Sequence, residues 1–192
     1  MPACHLICCN SLKSKGVEMC ILVHEEMLRI EDKDAVTIWK AVGKFIGYYL
    51  QQDKHVILPN IGKFYVQEIK IPIAHNPSRC VCRKRLVFLI SSQLAINFRI
   101  KFSTDQIENP NPQITVNRST ISCLCHKPRF KVDLCLREIA AFVYDRLATK
   151  LLVQLPFPGI GVLIIKGETY RMLFDDRFAA KIQETDYIKE IL

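Results

Sequence analysis

The sequence predicts an α+β protein built from two tandem copies of one unit, each running helix, helix, strand, strand, strand, helix. The first observation behind this is a phrase that occurs twice, VILPNIGKFYV at 56–66 and QLPFPGIGVLI at 154–164, each time after a helix-like run. Pro59-Asn60-Ile61-Gly62 and Pro158-Gly159-Ile160-Gly161 lie 99 residues apart, whereas the preceding helices align at 97, Phe45 on Phe142 and Leu50 on Leu147. The second link has therefore gained two residues. The second observation is size and composition. A chain of 192 residues, 49% hydrophobic and 24% charged, is globular in character and holds two units of about 90 residues, each able to bury a modest core. An internal duplication of this kind fixes the domain count before any single motif is weighed.

The elements follow in order. Residues 1–16 mix Cys, Ser, Lys and Gly without period and read as a flexible N-terminal arm. The first domain is expected over 17–104. Its first helix is read at Val17 to Ile30, and Asp32 or Asp34 caps a second over 34–52 whose Ile38, Val42, Phe45, Ile46, Tyr49 and Leu50 fall at three- and four-residue spacing. Gly43 and Gly47 each weaken that helix by about 1 kcal/mol relative to Ala, a cost that points to close helix-on-helix contact. Trp39, beside the stripe, is expected against the closing strand. His55 to Leu58 and Lys63 to Ile73 read as strands joined by the Pro59–Gly62 turn. Ala74 to Arg79 carries the next turn signal, Cys80 to Ile90 a returning third strand, and Ser91-Ser92 caps a short helix through Phe98.

Residues 105–117, with two prolines among polar amides and acids, form the linker. The second domain is expected over 118–183. Asp133 caps a helix to about Lys150, with Leu136, Ile139, Ala140, Val143, Tyr144 and Leu147 as its stripe. Strands follow at 152–155, 161–166 and 170–174, the last two joined by Gly167-Glu168-Thr169 alone. An aspartate cap opens the closing helix, and 184–192 remain as a short mixed-charge C-terminal tail.

Charge is distributed unevenly. The chain carries +8, and between Lys63 and Lys101 eight bases face one acid, Glu68. A local excess of this kind is either the footprint of a polyanion-binding surface or a solvated basic face. Nine cysteines, an odd number at irregular spacing with no secretory signal before them, fit a reducing intracellular setting better than a disulfide framework. No run approaches the roughly 18 apolar residues that span a bilayer, so a soluble protein without membrane insertion is expected.

The element order, the P-x-I-G turn and a basic β-arm around Asn76-Pro77 together resemble the HU/IHF group of DNA-bending proteins. More specifically, two such units in tandem, with RLVFLISSQLAI at 85–96 and GIGVLIIKGETYRMLF at 159–174, are similar to the HU-domain region of the eukaryotic coiled-coil domain-containing protein 81 family. The resemblance covers roughly residues 30–185. It implies that the repeats pair as an HU-like dimer does, as a pseudo-dimer within one chain or as a homodimer. By the same resemblance Pro77 takes the place of a wedge between base pairs, and Lys70, Arg79, Arg83, Lys84 and Arg85 line the arm against phosphates; Lys63 and Asn76 complete the candidate nucleic-acid set. The physics of such an arm is counterion release, with unstacking traded for bending. Pro59, Gly62, Pro158 and Gly161 are the structural turn residues. Longer members of the family carry a heptad region; residues 1–192 contain none, so coiled-coil functions are not expected to carry over.

Two features point away from a DNA clamp. The second repeat lacks an arm, and the first arm carries Ile71, Ile73, Cys80, Val81 and Cys82. The family association with centrosomes and cilia implies a protein partner at a cytoskeletal or centrosomal structure, and a cytoplasmic or centrosomal rather than nuclear location. The expectation is a non-enzymatic interaction or scaffold module; the alternative is non-sequence-specific binding of duplex DNA through the arm. The basic cluster also reads as a solubilising edge strand, and Asn76-Pro77 as an ordinary turn former. Phe45, Phe64, Phe88, Phe142 and Phe178 are assigned to the core. His5, Cys8 and Cys9, or Cys123, Cys125 and His126, lack the paired spacing of structural zinc sites, so neither metal nor cofactor is expected. Palmitoylation of Cys4, Cys8 or Cys9 has only an apolar neighbourhood to suggest it. His24-Glu25-Glu26 lacks the second histidine of a metalloprotease helix, and no phosphate loop or nucleophile elbow is present.

Overall fold

A computed structural model of the chain describes residues 32–73, 76–102, 112–183 and 187–190. The helix expected over 17–30, the arm over 1–16 with Cys4, Cys8 and Cys9, and linker residues 105–111 lie outside the described residues. Repeat one contributes helix α1 (Asp32–Leu50), the antiparallel strands β1 (His55–Leu58), β2 (Gly62–Ile73) and β3 (Asn76–Ile90), and the closing helix α2 (Ser92–Phe98). Strand β4 (Gln113–Thr115) precedes repeat two, which supplies α3 (Arg118–Cys125), α4 (Arg129–Ala148), β5 (Val153–Phe157), β6 (Gly161–Lys166), β7 (Thr169–Phe174) and α5 (Asp176–Gln183). A last strand, β8 (Tyr187–Glu190), follows. One sheet has the order β4-β1-β2-β3-β8, the other β5-β6-β7.

The two P-x-I-G turns are built alike. The amide of Ile61 donates to the Leu58 carbonyl and that of Ile160 to the Phe157 carbonyl, at 3.3 and 3.0 Å. The Ile61 and Ile160 carbonyls then receive the amides of Ser91 and Asp175 at the start of each closing helix, at 2.9 and 2.7 Å. Glycine is required at Gly62 and Gly161 for one shared reason: a Cβ there would collide with the carbonyl of the neighbouring strand, Leu89 or Leu173.

One core serves both repeats. Ile38, Val42, Ile46 and Leu50 of α1 are fully buried in the same cluster as Val132, Val143, Leu163 and Ile165 of repeat two. A chain of rings crosses between repeats: Trp39 to Phe157 at 5.2 Å, Phe157 to Phe64 at 5.0 Å, Phe64 to Phe88 at 4.8 Å and Phe88 to Tyr170 at 6.2 Å. The tilted and edge-on geometries are those favoured by aromatic quadrupoles. Phe45 and Phe178 are also buried, whereas Phe142 is half-buried with Arg146 over its ring. The closing helices exchange partners as well. Phe98 of α2 stacks edge-on against Tyr144 of α4 at 5.5 Å, while Phe178 of α5 lies over Gly47 of α1.

Several expectations change in the folded chain. Trp39 packs on β5 rather than on a closing strand, its Nε1 donating to the Pro156 carbonyl at 2.6 Å. Gly43 accommodates a turn and not a helix: a Cβ there would stand 2.5 Å from the Pro158 carbonyl oxygen. Gly47, facing α5, is the glycine that meets a helix. The long helix of repeat two opens at Arg129, four residues before Asp133, because Pro128 with φ −56° already sets the entry that a capping aspartate was expected to provide. Asp133 instead bridges Arg118 and Arg137. Ser91 precedes α2 without a side-chain cap bond, whereas Asp175 caps α5 by accepting from the amides of Arg177 and Phe178 at 3.0 and 3.1 Å. The end of the linker is a strand: β4 runs parallel to β1, His55 opposite Gln113. Within the expected tail, β8 is a strand too.

Asp34 is not a cap. It sits inside α1, 4% exposed, and its carboxylate receives Lys127 at 2.5 Å and Lys131 at 2.6 Å from the other repeat. Asp34 and Lys131 are 97 residues apart, the offset that aligns the two long helices. Next to them the Cys135 thiol points at the Ala35 carbonyl at 3.9 Å. The hydrogen bond from Lys127 and that from Lys131 hold the Asp34 carboxyl below its ordinary value of 3.8, against the opposing effect of burial.

Two outcomes follow. Gly43→Ala forces the Pro158 turn outward and lowers unfolding stability by about 1–3 kcal/mol, read from urea denaturation; an unchanged midpoint would show that the turn yields freely. For Asp34, whose folded pKa is depressed, the stabilisation is complete above the ordinary aspartate range and disappears as pH falls through the depressed value. Asp34→Asn therefore lowers the urea midpoint at neutral pH, and its difference from the natural chain shrinks as the pH falls through the depressed Asp34 value.

Candidate functional site

The arm formed by β2 and β3 is the main feature that the second repeat lacks. Thirty positions separate Ile61 from Ser91, but only fifteen separate Ile160 from Asp175. In register, Gln67 stands opposite Arg85, Ile69 opposite Arg83 and Ile71 opposite Val81, while Glu68 stands opposite Lys84 and Lys70 opposite Cys82. Because side chains alternate along a strand, the candidate cations divide between two faces. Lys63, Arg79, Arg83 and Arg85 share one face; Lys70 and Lys84 share the other with Cys80 and Cys82.

The first face mixes its arginines with Ile69, Ile71 and Val81. Arg79, Arg83 and Arg85 are exposed and run along about 20 Å of strand. Lys63, nearer the base, is half-buried, and burial draws its ammonium pKa down. Beside it His55 is 1% exposed, its ring 5.6 Å from that of Tyr65. Burial, with the Lys63 charge second, pushes the imidazole pKa below its usual 6.5 and favours the neutral ring.

The second face is built into the fold. Lys84 reaches Asp53 at 2.6 Å, tying the arm to the turn that ends α1, and Lys70 is exposed. Cys80 and Cys82 are 1% and 0% exposed with their sulfurs 3.6 Å apart. Burial first, then the neighbouring Cys80 and Glu68, push the Cys82 thiol up to about 11. Burial also takes Cys135 to about 12. This burial accounts for Cys80 and Cys82 in the apolar arm, whereas Ile71, 42% exposed, and Val81 lie on the arginine face. Helix α5 lies against β3, and β8 occupies the outer edge of β3, with Arg79 opposite Glu190, Val81 opposite Ile188 and Cys82 opposite Tyr187. Asn76 and Pro77 are the first residues of β3, directly after the undescribed positions 74 and 75 at the tip.

With this geometry in place, the comparison with known families is direct. Residues 23–102 match the CCDC81 eukaryotic HU domain 1, and residues 112–186 match the CCDC81 eukaryotic HU domain 2. The chain belongs to the CCDC81 family. Its α+β architecture is accordingly two HU-like domains in tandem, and the arm is a property of HU domain 1. In this CCDC81 module, Pro59, Gly62, Pro158 and Gly161 hold the matched turns. Among the described residues no helix is long and apolar enough to cross a membrane, and no group of three His, Cys, Asp or Glu side chains is placed to hold a metal. Cys123 and His126 are exposed, whereas Cys125 is buried on α3; His5, Cys8, Cys9 and the His24-Glu25-Glu26 run lie outside the described residues.

Sequence reasoning found the arm and its cations but missed Asp53 and β8, which decide how much of the arm is open. Asp53 carries a signal in retrospect: it and Lys150 are matched positions at the helix ends, both left-handed, with φ of 57° and 56°. The partners of both Asp53 and β8 are set only by tertiary packing.

The burial pattern sets an order of thiol reactivity. In the native protein iodoacetamide modifies exposed Cys123 at least about tenfold faster than Cys80, Cys82 or Cys135, measured by mass spectrometry of timed digests. Equal rates at Cys82 and Cys123 would mean that the arm detaches from α5.

Proposed function

We propose that this CCDC81-family chain is a non-enzymatic HU-like interaction module, a scaffold for a protein partner at a centrosomal or ciliary structure. The observation that carries the reading is β8 on the edge of β3. A DNA-clamping arm uses both faces and its free length around a groove, whereas here one face of β3 packs on α5 and its outer edge is taken by the chain's own strand. Lys84, held by Asp53, further reduces the charge available to a polyanion. What remains exposed is the face of the β2–β3 arm that carries Arg79, Arg83 and Arg85. Such a surface suits contact with a protein, where arginine is a favoured anchor.

A second reading rests on that row. Arg79, Arg83 and Arg85 on one face, with Lys63 at its base, are spaced as a phosphate-tracking ridge would be, which supports non-sequence-specific contact with duplex DNA. Fluorescence anisotropy on a labelled duplex separates the two. The interaction module shows no binding at about 50 mM salt, where several phosphate contacts would give tight and steeply salt-dependent association. Binding that is lost in Arg83→Glu/Arg85→Glu, with the fold intact, would establish the DNA reading instead. That pair is the cleaner test because Lys84 also holds Asp53. A fluorescent fusion of the full chain is expected at centrosomes or ciliary bases, and accumulation on chromatin would count against the scaffold.

A further inference from the structure

The two repeats meet the opposite long helix differently. The turn of repeat two closes directly on α1, its Pro158 carbonyl against Gly43. The turn of repeat one stands off α4 and leaves a cleft of about 350 Å³, floored by Leu58, Ile61, Val116 and Leu136. Arg118, Arg129 and Arg137 line it, and the same three arginines line an adjoining hollow of about 340 Å³ beside Phe130, a side chain 67% exposed. The sequence reading did not single out any of these arginines.

The electrostatics of the cleft are one-sided. Among the residues that line it none is a carboxylate; Asp133, on the wall of the adjoining hollow, is shared by Arg118 at 2.7 Å and by Arg137 one helical turn away. Asp133 thus fixes two guanidinium groups in place and leaves the group of four with a net charge of +2. Arg129 has no ion-pair partner among the described residues. It is the first residue of α4, a helix that begins after Pro128 with no side-chain cap, so the positive end of the helix adds to the field. Helix α3, by contrast, is already capped by Asn117, which accepts from the amides of Ser119 and Thr120.

We propose that this cleft is a binding site for a phosphorylated peptide segment, with the phosphate held by Arg118, Arg129 and Arg137 and the flanking apolar side chains seated on Leu58, Ile61 and Leu136 on one side and on Phe130 on the other. A doubly charged phosphate has the charge that three guanidiniums and one carboxylate leave uncompensated, and the planar forks of arginine suit its oxygens. Apolar hollows on both sides of one cationic point fit an extended chain with a phosphorylated residue at its centre. Duplex DNA is a poorer fit, because its phosphates demand a row of cations on an open surface rather than one concave point. The cleft is also remote from the arm. It lies at the turn end of β2, about 35–40 Å of strand from the arm tip.

The test compares a degenerate pool of fluorescent phosphoserine peptides, its unphosphorylated counterpart, inorganic phosphate as competitor and a DNA duplex, all against the full chain. The phosphorylated pool is expected to bind at least about tenfold tighter than the unphosphorylated one. Arg129→Glu and Arg137→Glu should each remove most of that difference while leaving thermal unfolding unchanged, and Arg83→Glu on the arm should leave it intact. Equal binding of the two pools overturns the site. Inorganic phosphate that displaces the pool at the pool's own Kd overturns the peptide, leaving a phosphate-ion site. Arg129→Glu that weakens only duplex binding assigns the arginines to DNA. Because the arm variants are read separately, failure here is distinguishable from failure of the scaffold reading.

Discussion

Neither repeat finishes its own core. Helix α1 is covered by the turn and closing helix of repeat two and α4 by the closing helix of repeat one, and the ring chain through Trp39, Phe157, Phe64, Phe88 and Tyr170 crosses between the repeats. A repeat with 69 or 76 described residues is of a size at which a single core is marginal. Exchange of covering elements lets two marginal units bury their apolar stripes in one continuous interior. The glycines at 43 and 47, costly in an isolated helix, are the places where the other repeat comes closest.

Much of this was legible in the chain because repetition shows position by position. The turns at Pro59 and Pro158, the stripe of α1, the strands and the absence of an arm from repeat two follow from periodicity and turn chemistry, which act locally. The misplaced elements depend on partners. β4 and β8 are three and four residues long and polar in part, with no periodicity that marks a strand; they are strands because β1 and β3 offer them hydrogen-bonding edges. Asp34, Asp133 and Pro128 show the same limit at helix starts. An aspartate near a helix start resembles a cap in sequence, and only the folded chain shows that Asp34 faces two lysines across the interface and that Asp133 organises two arginines. The arm cations were visible as a charge excess, but their division between two faces needed the register of β2 against β3.

The loss of fifteen positions from the second hairpin gives the pair a direction that a symmetric dimer lacks. On one side the extended hairpin is bound by α5 and β8, both from the C-terminal end of repeat two. The unit without an arm thus supplies the elements that support the arm of its neighbour. Two groups of exposed arginines stand apart, one row on β3 and one cluster at the start of α4.

The contact between Asp34 and Lys131 has a consequence for assembly. Residues at equivalent places in two related subunits touch each other only at the axis that relates them, and a symmetric homodimer must put identical side chains there. Two copies of repeat one paired in this way would bring two carboxylates together, and two copies of repeat two would bring two ammonium groups together. Only the mixed pair is attractive. The charges at the axis therefore act as a sorting rule, favouring first-with-second pairing over either like pairing.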